Sequence, residues 1–168
     1  LKGHESIVIS VGRTMVDELE RDGNKHIKWN IGRKSLITFF YIFKLVRLIK
    51  NKKIDIIHAR SRLPAWIIFL ALKFINRNKR PHFITTVHGF NSISFYSSIM
   101  TKGERVFVVS KSVQKFITKN YKINKSNVVL NYRGVDPKEF HLESLLNKTW
   151  LKLWEKEFPY LNLSLNHI

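Results

Sequence analysis

The sequence predicts an α/β fold built on a parallel, doubly wound sheet. Three observations carry this. Short β-branched and aromatic runs alternate with runs of helical spacing, the order that builds strand–helix–strand units. Helix-start residues (Ser35, Pro64 and Ser110) stand where the helical runs begin. Hydrophobic residues make up 44% of the 168, enough for a packed core and unlike a disordered tail.

In chain order, residues 7–10 (Ile-Val-Ile-Ser) read as a strand. Residues 14–22 read as a polar helix closed by Gly23, and 26–31 as a short strand. Ser35 is placed to cap a long helix over 36–51, with Leu36, Phe39, Phe40 and Phe43 at helical spacing. Residues 54–59 form the next strand. Pro64 suits the first turn of a buried helix that runs to 75, and 76–81 are a basic turn. A strand over 82–87 runs into His88-Gly89. Residues 90–101 read as irregular, aromatic and Ser-rich. A strand over 105–109, a cap at Ser110, a helix over 113–121 and a last strand over 127–130 follow. Residues 150–158 suit one amphipathic helix, broken at Pro159.

The charge is extreme. Lys and Arg number 30 against 12 Asp and Glu, a formal net charge of +18. Such a surface attracts polyanions, either nucleic acid or an anionic membrane face. Solvated lysines in a Lys-, Asn- and Ile-rich chain are the plainer reading. There is no cysteine, which excludes a disulfide framework and cysteine-ligated metal sites. The histidines do not fall at close metal-ligand spacings. The best apolar stretch, 63–74, is shorter than the roughly 20 residues that a spanning helix needs. The chain shows no signal-peptide layout and opens without Met, which reads as a fragment.

In a parallel sheet the functional loops lie at the carboxyl ends of the strands. His88 stands at such an end and Gly89 follows it. An imidazole there can bond sugar hydroxyls or phosphate, and glycine lets backbone approach a ligand. A structural histidine bonded to a neighbouring loop fits the position equally well. In His58-Ala59-Arg60-Ser61-Arg62, Ser61 and Arg62 lie near a helix start, which favours anions, and two arginines add bidentate recognition. Plain surface charge is the alternative. Phe90, Asn91 and Tyr96 lie in a loop that mixes aromatic faces with small polar groups. That mixture suits a sugar ring, or a loop tucked onto the core. Helix 36–53 combines a basic face (Lys44, Arg47, Lys50) with an apolar one, which suits either a membrane surface or an ordinary sheet-covering helix. No Gly-rich phosphate loop, G-x-S-x-G elbow or H-E-x-x-H is present, and acidic residues are sparse at strand ends.

Taken in order, several segments resemble glycosyltransferase family 4. These are GHESIVIS (3–10), IDIIHARSRLPAW (54–66), TTVHGF (85–90), RVFVVSKSV (105–113) and RGVDP (133–137) with Phe140. The resemblance covers roughly residues 3–140. HARSRLPAW is most similar to members that build bacterial lipopolysaccharide core or other surface glycans.

The resemblance implies a Rossmann-like N-terminal lobe of a two-lobed GT-B enzyme, with residues 1–141 as the acceptor-binding domain. Residues 142–168 would be a linker helix and the start of the next domain. It implies sugar transfer from a nucleotide-sugar donor to a glycan or lipid-linked acceptor, with retention at the anomeric carbon and no cofactor or metal. His88 would lie near the reacting sugar and steady donor or leaving phosphate. Arg60, Ser61, Arg62, Gly89, Phe90, Asn91, Tyr96 and Ser110 would meet substrate. Arg133, Gly134 and Asp136 match the segment entering the interlobe hinge. The family begins with a strand and Gly-rich turn that would precede Leu1. That strand is central, so its loss should leave a neighbour unpaired. The donor lobe is also absent, so this chain alone should be inactive. The expected setting is cytoplasmic, peripheral on the inner face of the membrane, with no nucleic-acid partner. The rival class is a non-enzymatic basic domain that binds anionic membrane or nucleic acid.

Overall fold

A computed structural model describes residues 3–135 and 148–159. Among these residues six strands and six α-helices alternate, with short 3-10 turns between some of them. Every strand pairing is parallel. The chain divides into two compact units, Leu1–Tyr132 and Arg133–Ile168.

The first unit opens with β1 (Ile7–Ser10), α1 (Val16–Arg21) and β2 (Lys25–Lys28). The α1 helix stops because Gly23 takes φ +81°, a left-handed turn that costs glycine nothing, and its N–H bonds the Glu20 carbonyl at 2.9 Å. A 3-10 turn (Leu36–Phe40) leads into α2 (Tyr41–Lys52), and Ser35 caps the turn by accepting from the Ile37 N–H. The expected single helix over 36–51 is thus two pieces.

Its apolar residues fall on two faces. The residues turned to the core are Ile42, Leu45 and Ile49, whereas Leu36, Phe39, Phe40 and Phe43 are exposed. Helical spacing holds for both sets, and only one can face the sheet.

Next come β3 (Ile56–Ala59), α3 (Arg62–Lys73) and β4 (His82–Val87). The α3 helix buries Ala65, Ile67, Ile68, Ala71 and Leu72, and it packs on α2. Residues 90–101, expected to be irregular, contain α4 (Phe95–Ser98) and a 3-10 turn (Ile99–Thr101). Ser94 makes this possible by accepting from the Ser97 N–H at 3.2 Å, and Ile99 and Met100 anchor the turn in the core. The unit closes with β5 (Arg105–Val108), α5 (Lys111–Asn120) and β6 (Val128–Leu130).

The strands form two sheets, β1-β2 and β3-β4-β5-β6. Among the described residues, β1 pairs only with β2, and β3 is an end strand. A groove of about 780 Å³ lies between the sheets and is lined by Ile7 and Ile9 on one side and by Ile56, Ile57 and His58 on the other. The second sheet adds strands in sequence order, so right-handed crossovers place its connecting helices on one face. Its carboxyl edge then carries the four loops after Ala59, Val87, Val108 and Leu130.

In the second unit the described residues include α6 (Lys148–Glu157), where the expected amphipathic helix over 150–158 falls. The Trp154 and Phe158 rings meet at 4.7 Å.

Candidate functional site

The β3–β4 register sets the site. His58 stands opposite Ile84 and Ala59 opposite Thr85, so the two strands end side by side. His58 Nε2 lies 2.7 Å from the Thr86 hydroxyl oxygen. Part of the His58 ring is exposed, and part rests beside Thr86 and tilts against Phe107 at 6.3 Å. Loss of hydration on the covered side lowers the His58 pKa, and the positive charge of Arg60 lowers it further.

One step beyond the strands, Arg60 Nε donates to His88 Nε2 at 3.3 Å. The bond requires a lone pair on that nitrogen, so the His88 proton belongs on Nδ1 while the bond stands. Gly89 follows in an open position, where an added Cβ would meet no atom within 4 Å. Nothing in the fold itself therefore requires glycine there.

A second cluster begins at the start of α3. Ser61 has the extended backbone of a helix cap, without a side-chain cap bond. Arg62 Nη1 donates to the Ser97 hydroxyl at 3.1 Å, and its guanidinium lies 5.2 Å over the Tyr96 ring. Trp66, one turn further along α3, donates its indole N–H to the Tyr96 carbonyl at 3.0 Å and packs on Phe95 at 5.3 Å. Phe95 is itself exposed. Phe90 is exposed too, with its ring edge-on to Phe116 at 5.2 Å. The Phe90–Tyr96 loop is therefore pinned by Arg62, Trp66 and the edge of Phe116, and it keeps aromatic faces open.

Among the sequence-predicted residues, Arg60 and His88 come together, and so do Arg62 and Tyr96. Asn91 is half-buried in the same loop. Ser110 lies at the carboxyl end of β5 and caps α5 by accepting from the Val113 N–H at 3.2 Å. Accepting that bond leaves its O–H proton to donate. Arg133 and Gly134 belong to the second unit, and Asp136 lies outside the described residues. His58, Thr86 and Ser97 lay in the candidate segments without a role of their own, and Trp66 joins the site without having been singled out for it. Trp66 was the most findable, since it lies four residues after Arg62 on the same helix and so shares its face.

Two further hollows lie elsewhere. One, of about 670 Å³, sits at the carboxyl end of β1 around Ser10–Arg13 and His26, where Ser10 Oγ and His26 Nε2 are 2.8 Å apart. The other, of about 930 Å³, opens at the amino ends of β3 and β4 near Lys53, Asn76 and Arg80. The Arg60–His88 pair lines neither.

Parallel strands with helical crossovers, bringing arginine, histidine and hydroxyl groups to one carboxyl edge, define a Rossmann-like lobe. The chain belongs to glycosyltransferase family 4, whose description matches residues 2–139. It is similar to the crystal structure of a glycosyltransferase from Rickettsia africae, with 35% identity and a TM-score of 0.66. That match covers 94% of this chain and 42% of the other, so this chain spans less than half the length of that protein. No curated protein matches it.

Proposed function

We propose that this lobe serves a glycosyltransferase by meeting the acceptor and the phosphate side of the donor. The reaction is transfer of a sugar from a nucleotide-sugar donor to a glycan or lipid-linked acceptor, with retention at the anomeric carbon and no cofactor. The observation that carries this reading is the Arg60–His88 pair at the carboxyl edge of the parallel sheet, beside the open Gly89 position. An arginine and an imidazole that share one hydrogen bond offer a cation and a donor to charge that builds on a leaving phosphate. His88 then steadies that charge and is not a nucleophile. The Arg62–Tyr96–Trp66 cluster, with Phe95 exposed, presents an apolar ring face next to polar donors, which supports a sugar acceptor. The HARSRLPAW run supports a product in bacterial surface glycan or lipopolysaccharide synthesis. With one acidic residue, Asp55, between Asp22 and Glu104, the lobe suits the anionic inner face of the cytoplasmic membrane. Because the chain spans 42% of the Rickettsia africae protein, we propose that the 168 residues alone do not turn over.

The test uses the full-length enzyme, with sugar transfer followed by release of nucleotide. His88→Ala is expected to lower kcat/KM about a hundredfold, the scale of losing one well-placed donor to developing charge. Its thermal unfolding should match the wild type. Unchanged transfer in a folded variant would remove His88 from the site.

A further inference from the structure

The sequence left the apolar face of segment 36–43 open between a sheet-covering and a surface role, and the structure gives its large apolar residues to solvent. Leu36 is 85% exposed, Ile37 72%, Phe40 68% and Phe43 62%. Phe74, at the end of α3, is 59% exposed and meets the Phe43 ring at 5.8 Å. These five are neighbours. Leu36, Ile37 and Phe40 share the 3-10 turn, Phe43 follows Phe40 by one helical turn, and Phe74 adjoins Phe43. The core does not need them, because Thr38, Ile42, Leu45 and Ile49 already close the inner face.

The ridge is set in positive charge. Arg33 and Lys34 precede it, Lys44 and Arg47 stand on the same exposed side of α2, and Lys73 adjoins Phe74. From Gly23 to Gly103 the chain carries 16 Lys and Arg and a single acid, Asp55. Contiguous exposed apolar surface marks an interaction site, and a cationic rim selects an anionic partner.

We infer that this ridge is the membrane-seating surface of the lobe. Leu36, Ile37, Phe40, Phe43 and Phe74 enter the acyl boundary, and Lys44, Arg47 and Lys73 lie among anionic headgroups. This deepens the membrane part of the proposed function and names the residues that make it. A lipid interface matches the pattern better than RNA does. Leu36 and Ile37 are the most exposed of the set, and aliphatic chains offer no ring for base stacking, whereas they partition directly into an acyl layer. A second protein would have to supply an acidic rim around an apolar hollow, and a bilayer containing anionic lipid supplies both at once.

The experiment is vesicle co-sedimentation of the 168-residue chain. It compares pure phosphatidylcholine vesicles with vesicles containing phosphatidylglycerol. Strong binding is expected only with phosphatidylglycerol and should weaken as salt rises. Phe40→Ser/Phe43→Ser and, separately, Lys44→Glu/Arg47→Glu should each lower the partition coefficient about tenfold or more. Circular dichroism checks that each variant is folded. Lys115→Glu/Lys119→Glu on α5 serves as a folded control for charge elsewhere and should change binding far less. Wild-type binding in both ridge variants would overturn the inference. So would a self-association of the chain, or binding to an RNA oligonucleotide, that outweighs vesicle binding and is lost with Phe40→Ser/Phe43→Ser. The readout is partitioning, so vesicle binding can hold even if sugar transfer fails. Transfer to a water-soluble acceptor by full-length Phe40→Ser/Phe43→Ser enzyme separates the two readings in the other direction.

Discussion

Two glycines show how differently single residues are constrained. At Gly103 an added Cβ would come 2.8 Å from the Arg105 carbonyl oxygen and 3.1 Å from both the Thr85 N–H and its hydroxyl oxygen. Thr85 is fully buried and donates to the Met100 carbonyl at 2.6 Å, so the backbone has nowhere to yield. Gly103→Ala should cost about 1–3 kcal/mol in urea unfolding, the range for overpacking. A loss below about 0.5 kcal/mol would mean that the turn relaxes. Gly89 meets no such obstacle, and its glycine leaves room in front of the backbone beside His88. The sequence marked Gly89 by its place after His88 and gave no sign of the constraint at Gly103. Space around a Cβ is a property of segments far apart in the chain.

At the scale of elements, the caps were readable and the buried faces were not. Ser35 and Ser110 were assigned as caps from their position before apolar periodicity, and each accepts the expected backbone N–H. Ser110→Ala should cost about 1 kcal/mol through loss of the α5 cap, read as a lower urea midpoint. If the midpoint does not move, water or a neighbouring group has replaced the bond. The α2 core face was left open by the sequence because Phe is as apolar as Ile, and the segment has enough apolar residues to line two sides. Ile42, Leu45 and Ile49 were selected by the shape of α3 and the sheet beneath them. The Phe90–Tyr96 loop was read as irregular because its helix is only four residues long and takes its order from Ser94 and the buried Ile99.

For the molecule as a whole, the lowered His58 pKa ties the site to stability. The His58 pKa lies below its unfolded value of about 6.5, so the folded state holds fewer protons through that window. The stability it contributes is complete above pH 6.5 and is lost as pH falls through the folded value. His58→Gln keeps an N–H donor within reach of Thr86 and has no proton to gain. Its urea midpoint should fall less steeply than that of the wild type between pH 7.5 and 5. Equal slopes would assign the pH dependence to other groups. The effect should be modest, because part of the ring stays in water.

By itself the sequence determined the α/β class, the parallel order of strands, most helix starts and the placing of His88, Arg60 and Arg62 at the carboxyl ends of strands. Those features are written in local periodicity and in chain order, which physics reads without distant contacts. The tertiary structure alone decided the Arg60–His88 bond, the Trp66–Tyr96 clamp, the gap between the two sheets and the outward turn of Phe40 and Phe43. Each depends on strand register or on which of two competing apolar faces meets the core, and neither is encoded in any one segment.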